Sequence, residues 1–230
     1  IKNANTAISS GFSLSPDIAD INTTNIPEVN ITNSTIQDCQ NNGILSLLSN
    51  ITAQNLLIYN IGRFNVQLEL GGSFDFRHCT FANYGSILLS HQTPVLRMSN
   101  FLELEDQVLL ADLAQADFTN CIIDGSILEG AEVSLGNEDG AAFNHQFNNC
   151  LIRTDLDPLI DFNNAGCLFN QDPMFEDIFE RDYRIDTGSV CIDAGTFILT
   201  EPFVNDDLNG NIRPFAGSLP DLGAYEWGYE

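Results

Sequence analysis

Positive charge is almost absent from this 230-residue chain. It holds one lysine, Lys2, and 8 basic residues in all against 32 carboxylates, a formal charge of −24. Such a balance repels nucleic acid and anionic membrane surfaces. No apolar run approaches the roughly 18 residues a membrane span needs, and no basic segment followed by an apolar stretch marks a signal peptide. Zinc-site spacing is missing too. The six cysteines, Cys39, Cys79, Cys121, Cys150, Cys167 and Cys191, include no C-x-x-C pair. Long segments with apolar residues at three- and four-residue spacing are absent, which excludes a helical repeat.

What is present is hydrophobicity of 43%, enough for a core, with many Asn, Thr and β-branched residues and Gly turns such as Asn42-Gly43 and Gly71-Gly72. These form a repeat. Six segments read apolar, polar, usually Asn, small or Cys, any, apolar: Ile31–Ile36, Ala53–Ile58, Phe76–Phe81, Leu96–Phe101, Phe118–Ile123 and Phe147–Ile152. Their starts lie 22, 23, 20, 22 and 29 residues apart. Leucine-rich repeats have a similar period, but their regular Leu spacing is not here.

The period-2 alternation at the start of each segment predicts a strand with one buried face, and the parity change before the sixth position predicts a bend. One such coil cannot bury its own apolar side. Coils stacked at about 4.8 Å share one core and place like residues above like. The expected fold is therefore all-β: a single right-handed parallel β-helix with coils over 1–154. The last coil and an irregular C-terminal cap of the same domain follow over 155–230. In this register Cys79, Cys121 and Cys150 form a column with Ser34 and Ser99, as buried small spacers rather than disulfides. Asp38, Asn60 and Asn83 form a second stack at a bend, where amides satisfy backbone groups. The chain opens mid-repeat at Ile1. The expectation is a piece of a longer precursor whose first coils, export signal and anchor precede it.

Beyond residue 155 turn chemistry takes over, in Asp172-Pro173-Met174-Phe175, Asp182-Tyr183-Arg184-Ile185, Thr187–Gly195, Asp206–Pro214 and Pro220–Glu226. Together with Asn120–Ile127, this ordered set resembles the C-terminal region of secreted right-handed parallel β-helix proteins of Bacteroidetes-type bacteria, the choice-of-anchor Q domain. The resemblance covers roughly residues 110–226. The earlier coils match only the general pectate-lyase-like superfold. The resemblance implies export to the bacterial cell surface and no established activity. Tyr183, Tyr225 and Trp227 are expected to plug the open end of the solenoid, whose bare strand edge would otherwise template aggregation.

Few residues point to chemistry. Arg77 and Arg97 share the second position of their segments, so they are expected side by side on the outer face. Two guanidinium groups so placed suit a uronate carboxylate, although Asp75 can pair with Arg77 instead. His78 takes the usual Asn position and is expected buried on the inner side. His91 and His145 have no evident partner. A glycosidase pair could come from Glu103, Glu105 and Asp106 with Asp124 and Glu129, though no spacing singles one out. Asp206, Asp207, Asn209 and Asn211 alternate oxygen ligands around the Gly210 turn and half-resemble a calcium loop without its distal Glu. The expected function is an extracellular module, non-catalytic and structural, adhesive or glycan-binding, working as a monomer on polysaccharide or cell-surface glycan. The alternative is a polysaccharide-active enzyme, uronate lyase before hydrolase. Ca2+ is the one cofactor suggested.

Overall fold

A computed structural model of the chain describes residues 1–11, 25–86, 89, 91–127, 131–215 and 218–229. Seventeen strands and no helix occur among them. In chain order they are β1 (Ile8–Gly11), β2 (Glu28–Cys39), β3 (Ile44–Ile61), β4 (Val66–Arg77), β5 (Thr80–Asn83), β6 (Leu96–Ser99), β7 (Phe101–Glu103), β8 (Val108–Leu110) and β9 (Leu113–Thr119). Then come β10 (Ile122–Gly125), β11 (Val133–Gly136), β12 (Gln146–Asn148), β13 (Leu151–Ile152), β14 (Asn164–Ala165), β15 (Leu168–Phe169), β16 (Phe175–Asp177) and β17 (Asp182–Ile185). Thirteen of them join one curled, parallel sheet. The pairs β7–β8 and β16–β17 are antiparallel.

Pairing within the large sheet follows three lines. In the first, Ile44 lies beside Ile8 and Val66, Val66 beside Leu96, and Leu96 beside Val133. The second runs Ile31, Ala53, Phe76, Phe118, Phe147, Asn164. The third runs Ile36, Ile58, Phe81, Ile123, Ile152, Phe169. The long strands β2, β3 and β4 pass from one line to the next through a bend. Inward side chains of all three lines meet in one core, from Ile44, Val66 and Leu96 to Phe76, Phe118, Ile58 and Phe81. The rings of Phe76, Phe118 and Phe147 stack face to face, 5.1 and 4.8 Å apart. Each buried ring contributes about 1.5–3 kcal/mol of burial, and each stacked pair adds roughly 0.5–1.5 kcal/mol.

The corner between the second and third lines explains the Asn-rich third position. Asn33, Asn55, His78, Asn120 and Asn149 all have φ between 45° and 56°, and Gly166 at the next level has φ 66°. This left-handed backbone is what Asn tolerates best among residues with a side chain and what Gly adopts freely. A Cβ on Gly166 would also stand only 3.0 Å from the Asn149 amide.

That corner corrects the repeat at one segment. Leu96–Ser99 belongs to the first line, beside Val66–Leu68, not to the second. Its polarity matches the motif, but its third residue, Met98, lacks the left-handed turn, and Phe101 opens the β7–β8 hairpin. The cysteine column changes accordingly. Ser99 drops out, and Cys167 joins Cys79, Cys121 and Cys150. The backbone N–H groups of Cys121 and Cys150 donate to the sulfurs of Cys150 and Cys167, both at 3.4 Å. All six cysteines are free thiols. Asp38 and Asn60 stack as expected, the Asn60 amide donating to the Asp38 carboxylate. Asn83 reaches the Ile61 carbonyl at 2.7 Å instead.

The C-terminal segment is not an end cap. It is a strap along the side of the sheet. Third-line strands carry apolar residues on both faces, and their outward Leu57, Tyr59, Ala82, Ile122 and Leu151 need cover. Tyr183, Ile185, Cys191, Leu222 and Ala224 supply it. Corner amides tie the strap down: Asn149 donates to the Ala194 carbonyl, Asn120 to Thr196 and Asn55 to Asp206, at 2.8–3.0 Å. The strap thus runs backward along the stack. It then returns, with Ala224 N–H on Thr80 Oγ1 and Gly223 N–H on the Asn120 carbonyl. Trp227 is no plug, being 37% exposed.

Candidate functional site

The third line ends in a second corner, at Asp38, Asn60 and Asn83–Tyr84. Asp38 and Asn60 again take left-handed backbone, with φ 57° and 52°. Beside it stands the β16–β17 hairpin, seated by Tyr183, whose ring lies 4.9 Å from that of Tyr59. Between corner and hairpin opens a cleft of about 780 Å³, lined by Asn60, Tyr84, Ser126, Ile178, Phe179, Arg181 and Tyr183. A second cleft of about 370 Å³ continues it past Asp38 to Asn3 and shares Asn60, Ser86 and Arg181 with it.

The walls are held from behind. The Tyr84 hydroxyl donates to the Asp124 carboxylate, and Arg153 Nε donates to the same group at 2.6 Å. Burial raises the Asp124 carboxyl above its ordinary range, and burial with the Asp124 charge beside it raises the Tyr84 phenol. Tyr84 is therefore a fixed neutral ring rather than a base. Arg181 Nη1 meets both oxygens of Asp38, at 2.9 and 3.1 Å, and Lys2 Nζ reaches Asp38 at 3.4 Å. Phe179 projects from the hairpin turn, 90% exposed. Asn60 is 4% exposed, and its Oδ1 has no hydrogen-bond partner. Rings, an amide and a neutralised ion pair suit binding of an extended polar ligand. No histidine or cysteine lines either cleft among the described residues, and the one carboxylate there, Asp38, is held by Arg181.

Residues singled out from the sequence lie elsewhere. Arg77 and Arg97 are not neighbours. Arg77 lies in the second line between Gln54 and Thr119, Arg97 in the first beside Gln67 and Ser134. Arg77 bonds Asp75 through Nε, at 2.9 and 3.0 Å, and clamps the strap carbonyls of Thr200 and Pro202, at 2.9 and 2.6 Å. Arg97 is taken by Glu69 at 2.9 Å. The paired cations expected for a uronate are thus separated and internally satisfied. Asp75 and Arg77 do line a polar groove of about 390 Å³ with Asp117, Thr119 and Thr196.

Asp207 is buried. One of its oxygens accepts the N–H groups of Asn209 and Asn211, and the other accepts the Asn211 amide and the Glu226 N–H. Its lone pairs serve the turn, and no group of three His, Cys, Asp or Glu side chains able to hold a metal occurs among the described residues. His78 is buried beneath the strap rather than in the interior, accepting from the Asn120 amide at 2.9 Å. Burial, with the Arg213 charge nearby, lowers its pKa well below 6.5. His91 does have a partner: Glu132, at 2.8 Å, with both side chains almost fully buried. Glu103, Glu105 and Asp106 lie exposed on the β7–β8 hairpin. Glu129 lies outside the described residues.

Sequence reasoning missed the cleft because Tyr84 is far in the chain from Phe179 and Arg181 and none of them obeys a repeat. No protein-family model matches the chain, and no curated protein matches it significantly.

Proposed function

We propose that the chain is a right-handed parallel β-helix with a choice-of-anchor Q-like C-terminal region, exported to the bacterial cell surface, and that it binds glycan without cleaving it. Three lines of parallel pairing around one core support the solenoid reading. The observation that carries the function is the pair of adjoining clefts, walled by Tyr84, Phe179 and Tyr183 and floored by the Asp38–Asn60 corner. An elongated groove across successive coils fits a linear polymer. Sugar faces pack on aromatic rings, and their hydroxyls meet amides. The lyase alternative is weakened by the separation of Arg77 from Arg97 and by the lack of a free base among the described cleft residues. A glycan array run with reducing-end and unsaturated-product assays tests the reading. Binding without product is expected. Turnover of any bound polysaccharide would replace it with the enzymatic alternative.

A further inference from the structure

We infer that the glycan held in these clefts is uncharged, an inference that rests on the glycan-binding reading above. The first ground is how the cations are used. Lys2 and Arg181 both meet Asp38, Arg77 meets Asp75, Arg97 meets Glu69, Arg153 meets Asp124, Arg184 meets Asp182 and Arg213 meets Glu226. Arg63, over the Phe64 ring, is the one basic side chain with no carboxylate partner among the described residues. A uronate carboxylate entering the cleft would have to displace Asp38 from Arg181 to find a counter-charge, against the field of a chain of formal charge −24. The second ground is independent of charge: the larger cleft is walled by the rings of Tyr84, Phe179 and Tyr183, which ask only for an apolar sugar face.

The test is titration of the intact chain with neutral β-1,4-linked hexasaccharides of glucose, xylose and mannose, and with hexagalacturonate, at low and high salt. Binding of a neutral oligomer, insensitive to salt and weakened roughly tenfold by Phe179→Ala, is expected, with none detectable for hexagalacturonate. Phe179 is exposed, so that variant should melt like the parent. Asp38→Asn suits the left-handed backbone and frees Arg181 and Lys2. It should admit hexagalacturonate in a salt-sensitive manner. Tighter binding of hexagalacturonate than of every neutral oligomer by the parent would overturn the inference and leave the glycan-binding reading intact. A variant as blind to the uronate as the parent would overturn the charge argument. Failure of every glycan, on the array as well, would overturn both readings.

Discussion

The parallel sheet and the strap are held together by different means. Within the sheet, the same contact recurs at each level, as in the rings of Phe76, Phe118 and Phe147. Every level is insured by the one above. The strap has no repeat. It hangs on single polar fixtures, chiefly Arg213, whose guanidinium is buried between Glu226 and the carbonyls of Asp206 and Gly223, at 2.9–3.3 Å. Repetition distributes stability, whereas a unique fixture concentrates it.

The sharpest way to break this contrast is to injure each region once. Arg213→Ala strands the buried Glu226 carboxylate and should cost about 3–5 kcal/mol. Phe118→Ala should cost a similar amount, about 3–5 kcal/mol, by opening a cavity. Denaturant melts read the totals. Hydrogen exchange locates them: protection should be lost over 193–226 alone for Arg213→Ala, and through β4, β9 and β12 for Phe118→Ala. Uniform loss in both variants would refute the contrast.

Acid sharpens it next. His78 lies where the two regions meet, and its folded pKa is held well below 6.5 by burial first and by Arg213 second. As pH falls through 6.5 the unfolded chain takes up a proton that the folded chain refuses, so stability is lost toward acid. The loss grows as pH falls from 7 to 5. His78→Asn restores the column's usual residue and should abolish that part of the slope in melts at pH 7 and 5. His145, whose pKa burial also lowers, leaves a residual slope of the same sign.

A smaller effect is expected at a corner amide. Asn149→Gly keeps the left-handed backbone but removes the bond to Ala194, at about 1 kcal/mol, again local to the strap by exchange. The smallest is calcium. With Asp207 committed to N–H donors, added Ca2+ should leave the melting temperature unchanged. A rise with calcium, abolished by Asp207→Asn, would reinstate the loop as a cation site.

Legibility follows the same division. The second- and third-line columns are readable because Phe76, Phe118 and Phe147, and the residues two places on, repeat the same chemistry for the same geometric reason. Leu96–Phe101 misleads because alternation alone does not distinguish one strand line from another. The discriminating feature is the residue that must turn left-handed, Asn or His in the true corners and Met98 here. Cys167 escapes notice because its segment begins with Asn164 rather than an apolar residue. The strap's path is illegible because the outward apolar face it covers shows only as runs such as Leu56-Leu57-Ile58, and nothing local says what will lie on them. The cleft inherits that illegibility, since its hairpin wall belongs to the strap.

The backward course of the strap also orders events in time. Asn55 and Asp206 are 151 residues apart in sequence and joined in space. Such distant closure is slow relative to the pairing of strands nearer in sequence. Later-made residues thus seal strands laid down much earlier, and until they do, Leu57, Tyr59 and Ile122 face water. A nascent chain interrupted before the strap is translated would expose this sticky flank, a mark by which proteases and chaperones could tell an unfinished molecule from a finished one.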